Sequence, residues 1–164
     1  MAVNLARDTQ GTDFVEDSRY EQLCAAAARA RAERVARRDE CFAFIERFVH
    51  GLIRFLKVPP DRVRLAPADG PAPDAPLTVG AASSLGEDGY WKTGLHLSIG
   101  GDAPGAVSVV VALVLHIKKK ERNFLFKLMP DAAPLKLAGV PEVEPSDAYD
   151  FVFQQLLDSM GSPA

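Results

Sequence analysis

Between Tyr90 and Met129 the chain alternates apolar and polar residues through three consecutive runs. The first offers Trp91, Leu95, Leu97 and Ile99. The second offers Val107, Val109, Val111, Leu113, Leu115 and Ile117, and the third Phe124, Phe126 and Leu128. A period of two places each set on one side of a pleated strand, so the stretch predicts an antiparallel meander with one apolar face. Upstream, Val63 with Leu65 and Leu77 with Val79 and Ala81 alternate over shorter spans. Downstream, Leu135 and Leu137 add a short last strand. Keeping one face apolar suggests a register. It pairs Leu85 with Trp91, Ala81 with Leu95, Val79 with Leu97 and Leu77 with Ile99. It then pairs Ile99 with Val107, and Ile117 with Phe124 across a charged tip at 118–123. Leu115 then lies between Trp91 and Phe126, in the core.

Two segments carry the helical period instead. Ser18-Arg19-Tyr20-Glu21 fits a capping box, and helix-favouring residues run from there to Lys57, where Val58-Pro59-Pro60 stops them. From Cys41 onward, Ile45, Phe48, Leu52 and Phe55 recur at three- and four-residue steps and demand burial. The first half offers only Leu23, Ala27, Ala30 and Val35 between arginines, and a bend near Arg38-Asp39-Glu40 is compatible with the pattern. A second helix opens at Pro145-Ser146, with Ser146 as its cap, and carries Tyr149, Val152, Phe153, Leu156 and Met160 to Gly161. The expected fold is α+β: a long N-terminal helix, an antiparallel meander of four to five strands, and a C-terminal helix packed on one sheet face. Residues 1–17 read as a loose polar segment and 18–161 as one domain.

Composition narrows the class. A chain of 164 residues, 48% apolar and 25% charged, is an ordinary globular protein with one substantial core. No apolar run reaches the ~20 residues of a membrane span, and Met1 to Phe14 lacks the apolar stretch of a signal peptide; a cytoplasmic protein is expected. The net charge of −3 argues against nucleic acid. The charge is unevenly placed, with arginines from Arg19 to Arg38 and acids without bases from Gly139 onward. Cys24 and Cys41 on one continuous helix would stand ~25 Å apart along its axis, too far for a disulfide. Both read as small buried thiols.

Reactive constellations are missing from the sequence. The register sets His96 and His116 ~20 Å apart, and His50 lies on the first helix, so the histidines do not converge on a metal. Ala82-Ser83-Ser84-Leu85-Gly86 is not a nucleophile elbow, and no phosphate loop or zinc-binding His-Glu pair occurs. Arg34 and Arg38 have the arginine spacing of the PilZ family, which binds a cyclic dinucleotide, and Ser83 and Gly86 match part of its second signature. Ala81 stands where that signature requires an acid or amide, and the arginines fall inside a helix, so no family is assigned.

The second face of the sheet is the more informative feature. It carries Lys92, Gly94, His96 and Ser98 on one strand and Val110, Ala112 and Val114 on the next, flanked by Leu125 and Met129. An exposed antiparallel face usually alternates to polar residues. Cover by a helix of the same chain, by a partner, or around a ligand each accounts for it. The leading expectation is a non-enzymatic protein-binding or adaptor domain without cofactor or metal. It would self-associate as a homodimer, or bind a protein partner, through the first helix (Arg31, Arg34, Arg38) or the second face (Lys92, His96, Val110, Val114). The alternative is a small-molecule-binding α+β domain, a class that extends to enzymes, with a pocket between sheet and helix near His96, Lys92 and Ser98 and with room left by Gly80, Ala82 and Gly94.

Overall fold

The computed structural model describes residues 18–101 and 103–161; the loose segment expected over 1–17 lies outside them. The described elements run α1 (Arg19–Leu56), a 3-10 turn (Pro60–Arg62), β1 (Val63–Ala66), α2 (Val79–Ala82), β2 (Ser83–Leu85), β3 (Trp91–Ile99), β4 (Val109–Lys120), β5 (Asn123–Lys127), β6 (Leu135–Ala138) and α3 (Ser146–Gly161). The chain groups into two compact units, Met1–Val35 and Ala36–Ala164.

In the first unit the start of α1 is set by its capping box. The Ser18 amide donates to the Glu21 carboxylate at 2.7 Å and the Glu21 amide to the Ser18 hydroxyl at 3.1 Å. Every residue from Arg19 to Val35 is exposed, including Tyr20 and Leu23. Cys24 is exposed too, which corrects the expectation of a buried thiol; too few large apolar residues flank it to draw it into a core.

In the second unit the rest of α1 packs on the sheet. Cys41, Phe44, Ile45, Phe48, Val49 and Leu52 are buried, and the burial of Cys41 pushes its thiol pKa up. The Phe44 ring lies 4.2 Å from Phe124, Phe48 lies 5.1 Å from Phe126, and Phe42 meets Trp91 edge-on at 4.8 Å. Phe55, expected in the core, is 41% exposed at the helix end. Lys57 then takes a left-handed φ of 53°. Its amide reaches the Arg54 carbonyl and the Val58 amide reaches Ile53, so a Schellman turn closes the helix just before the prolines. α3 contributes Ala148, Tyr149, Val152 and Leu156 to the same core. Its first amide bonds go back to the Pro145 carbonyl, so Ser146 is the first helical residue rather than the cap.

The sheet is antiparallel in the order β1-β3-β4-β5-β6, with β2 also on β3. The meander from β3 to β6 is the one the alternation predicts. The outer edge differs. β1 pairs Val63 with Leu97 and Leu65 with Leu95, which are positions the sequence reading assigned to Val79 and Ala81. Only the Leu85–Trp91 end of that reading holds, in β2. The intervening residues form α2, where the Thr78 hydroxyl accepts from the Ala81 amide. Both inner registers are offset by two residues from expectation: Ile99 pairs with Val109 and Ile117 with Phe126. The β4–β5 turn is confined to Glu121-Arg122, with Lys120 opposite Asn123 and Glu121 at a φ of 57°, so Lys118 to Lys120 are strand rather than hairpin tip.

A shift of two leaves every side chain on its expected face. Leu95, Leu97, Val111, Leu115, Ile117, Phe124, Phe126 and Leu137 all face the helices and are buried. The one polar intruder, Thr93, is fully covered and shares a 2.7 Å hydrogen bond with the Ser83 hydroxyl.

Candidate functional site: the second face of the sheet

Within the second unit, the rest of α1 and α3 pack on the same side of the sheet, and among the described residues no helix of that unit covers the other side. Alternation and register define what that face presents. Arg64 of β1 pairs with His96, which pairs with Ala112; Ser98 pairs with Val110, and Gly94 with Val114. Farther along, Lys92 and Lys127 flank His116 on its two sides, Lys118 neighbours Leu125, and Leu125 neighbours Lys136. The face therefore carries Arg64, Lys92, Lys118, Lys120, Lys127 and Lys136 with His96 and His116. Among the described residues, its strand positions contribute no aspartate or glutamate. In a chain of net charge −3 this is a marked segregation. Between the cations run Val110, 54% exposed, Ala112, Val114, Leu125 and Met129, 57% exposed.

At one end the turn before β3 folds onto this face. The Tyr90 amide donates to the Asp88 carboxylate at 3.2 Å. Tyr90 is buried beneath two ammonium groups, Lys127 at 4.2 Å and Lys118 at 5.6 Å from its ring centroid. Lys127 also donates to the Pro130 carbonyl at 2.7 Å and lies 3.7 Å from Asp88, while Lys118 donates to the Asp88 carbonyl. The Tyr90 amide and the neighbouring Lys92 and Lys127 hold the Asp88 carboxyl below its usual range. Burial, and secondarily Asp88, raises the Tyr90 phenol. His116 is buried with its Nδ1 unpartnered. Desolvation, with Lys92 and Lys127 beside it, holds its imidazole below the ordinary value, Asp88 opposing.

At the other end a groove of about 290 Å³ opens between the sheet and the segment after β1. His96, Ser98 and Val110 line it, together with Asp61, Arg62, Arg64, Ala72 and Ser108. Arg64 is steadied through Nη1 by the Pro73 and Asp74 carbonyls at 3.1 and 3.4 Å. The His96 ring has a covered Nδ1 without a hydrogen-bond partner. The groove lies on the face opposite the helices, not between sheet and helix. Gly94 leaves no space either: a Cβ there would stand 2.5 Å from the Ala66 carbonyl oxygen and 2.8 Å from that of Pro67, because the crossing from β1 passes directly over it.

The structure thus places Lys92, His96, Val110 and Val114 on one face, with His96 and Val110 in one groove. Arg31 and Arg34 are exposed on α1 in the first unit. Arg38, in the second, is bound to Asp39 at 3.0 Å and lies 5.9 Å from the Phe42 ring. His50 lies with Arg47, Arg54, Glu144 and Tyr149 around a separate cavity of about 280 Å³ beside α1. Sequence reasoning missed Arg64, His116, Lys118 and Lys127. The signal for the last three was present, since His116 and Lys118 alternate in phase with Val114, and Lys127 with Leu125 and Met129. No group of three or more potential metal ligands occurs among the described residues, and no described helix is long and apolar enough to cross a membrane. Comparison with family models, curated proteins and solved structures returns no match.

Proposed function

We propose that this chain is a non-enzymatic protein-binding domain that presents the second face of its sheet to an acidic protein segment. The observation that carries the reading is the segregation of charge: among the described residues Arg64, Lys92, Lys118, Lys120 and Lys136, with Lys127 buried beside them, share one face with Val110, Val114 and Met129. Cations around an apolar strip suit a partner that brings carboxylates and a few apolar side chains, and charge complementarity sets both the encounter rate and the choice of partner. A second copy stacked face to face would oppose cation to cation, so this face is not its own complement. Single-stranded nucleic acid lacks what it needs there, because the face's one aromatic ring, Tyr90, is buried under lysines. A reducing compartment such as the cytoplasm suits an exposed free thiol at Cys24.

The test is fluorescence anisotropy of a labelled glutamate-rich peptide against the full chain. Binding should weaken with salt. It should fall on Lys118→Glu and Lys136→Glu and survive Arg31→Glu and Arg34→Glu. No binding at low salt, an equal loss on the helix reversals, or stronger binding of an RNA or an anionic vesicle would each overturn it.

The groove at His96 supports a second reading, a small organic anion held by Arg64, His96, Ser98 and Ser108. A thermal-shift screen of carboxylates and phosphate esters addresses it. A stabilisation that Arg64→Met abolishes supports this reading, and no stabilisation by any compound ends it.

A further inference from the structure

We propose that the chain forms a two-fold dimer by antiparallel pairing of β4 with β4 of a second copy, along Val109–Leu115 and centred on Ala112. The starting point is an incomplete ladder. β4 pairs with β3 from Val109 to Ile117 but with β5 only from His116 to Lys120. β5 turns away after Lys127, whose ammonium holds the Pro130 carbonyl at 2.7 Å, and proline at that place has no amide to continue the pairing. In an antiparallel strand alternate residues direct their N–H and C=O groups to opposite sides. Alternate main-chain groups from Val109 to Leu115 therefore point to the side that β5 has left. Among the described residues no strand pairing or other backbone hydrogen bond meets them there.

The other edges of the sheet are managed. β1 and β6 are four residues each, and β6 carries Lys136. Short strands and lysines are the usual defence of an edge. The β4 edge has neither: Val107 to Leu115 contains no charged residue, and Val107, Val109 and Val110 are 82%, 50% and 54% exposed.

The occupant follows from the chemistry of that edge. Unpaired main-chain groups are complemented by another β-strand. Two-fold pairing sets each side chain against one from the same short stretch, which is destabilising for like charges but not for Val110, Ala112 and Val114. A two-fold contact is also closed and stops at two copies. Antiparallel pairing keeps the faces in phase, so both copies would keep their helices on one side and both basic faces on the other. The inference goes beyond the acidic-partner reading and does not depend on it, since edge pairing uses main-chain groups and uncharged side chains.

Light scattering after size exclusion should give a mass that rises from one chain to two with concentration. Ala112→Lys sets two ammonium groups together at the axis and should raise the dimer dissociation constant about tenfold or more. In a Cys24→Ser background, Ala112→Cys should form a disulfide-linked dimer under mild oxidation and Lys136→Cys should not, because only the first brings two thiols within reach. A single-chain mass at every concentration overturns the proposal, as does a dimer indifferent to Ala112→Lys, or the absence of the Ala112→Cys cross-link. If circular dichroism shows that the lysine variant has lost its fold, the cross-link decides. Peptide binding by a chain that stays monomeric would refute the dimer while leaving the acidic-partner reading intact.

Discussion

A methyl group at Gly51 of α1 would stand 1.9 Å from the Tyr149 hydroxyl oxygen of α3. The tyrosine crosses α1 where there is no side chain, and its hydroxyl goes on to the Glu144 carboxylate at 3.2 Å. Alanine is favoured over glycine in a helix interior by ~1 kcal/mol, but here the overpacking dominates. Gly51→Ala should lose about 2 kcal/mol net, read by urea denaturation. Adding Tyr149→Phe to it should recover part of the loss. A neutral or stabilising Gly51→Ala would refute the contact.

How far the sequence reveals this arrangement depends on what its period can encode. Alternation put Leu115, Ile117 and Phe126 in the core and Lys92, His96, Val110 and Val114 on the other face, and the structure agrees. It could not separate registers that differ by two, since both keep every face. Ile117, not Leu115, therefore lies between Trp91 and Phe126. On the Phe126 side the decisive term was the tight turn at Glu121-Arg122, which requires a left-handed residue without glycine to announce it. Arg64 and Asp88 were not legible at the site at all. The first reaches it by the long-range pairing of β1, the second by a turn folding back onto the face.

Leu115 is fully buried whatever its cross-strand neighbour, so Leu115→Ala should cost ~2–5 kcal/mol. Val114→Ala, one residue along on the second face, should cost much less in dilute protein. If β4 pairs between copies, that cost should depend on protein concentration, because dimer stability does. Denaturant melts of both variants at two concentrations check this, and a negligible effect at Leu115 would contradict the core assignment.

The Tyr149 phenol provides an alkaline signature. Burial, then the Glu144 charge and hydrogen bond, push its pKa up to about 12, Arg54 opposing. A folded value above the unfolded one means that the stabilisation is fully present below pH ~10 and is lost as pH rises from there toward the folded value. The total at stake is about 2–3 kcal/mol. Stability measured through that range should fall for the wild type and stay flatter in Tyr149→Phe. Ultraviolet titration should show one tyrosine ionising last, and at lower pH in Glu144→Gln.

His116 sets the opposite signature in acid. Its folded pKa lies below the unfolded value of ~6.5, since burial and the flanking Lys92 and Lys127 disfavour the imidazolium more than Asp88 favours it. The denatured chain therefore takes up the proton first. Stability contributed at this position is level above pH ~6.5 and declines as pH falls below it, until the folded ring also protonates. Lys127 supplies a local reporter, because a charged ring beside it weakens its hold on the Tyr90 face and on Pro130. Urea melts at about pH 8 and about pH 5 should show a larger acid loss for the wild type than for His116→Gln. Groups common to both proteins cancel in the difference. In the same titration the Tyr90 ring resonances should shift with the midpoint of the His116 ring, which lies below that of a solvent-exposed histidine. Equal acid losses in the two proteins, or a His116 midpoint above ~6.5, would mean that Asp88 outweighs the lysines and the burial at this end of the face.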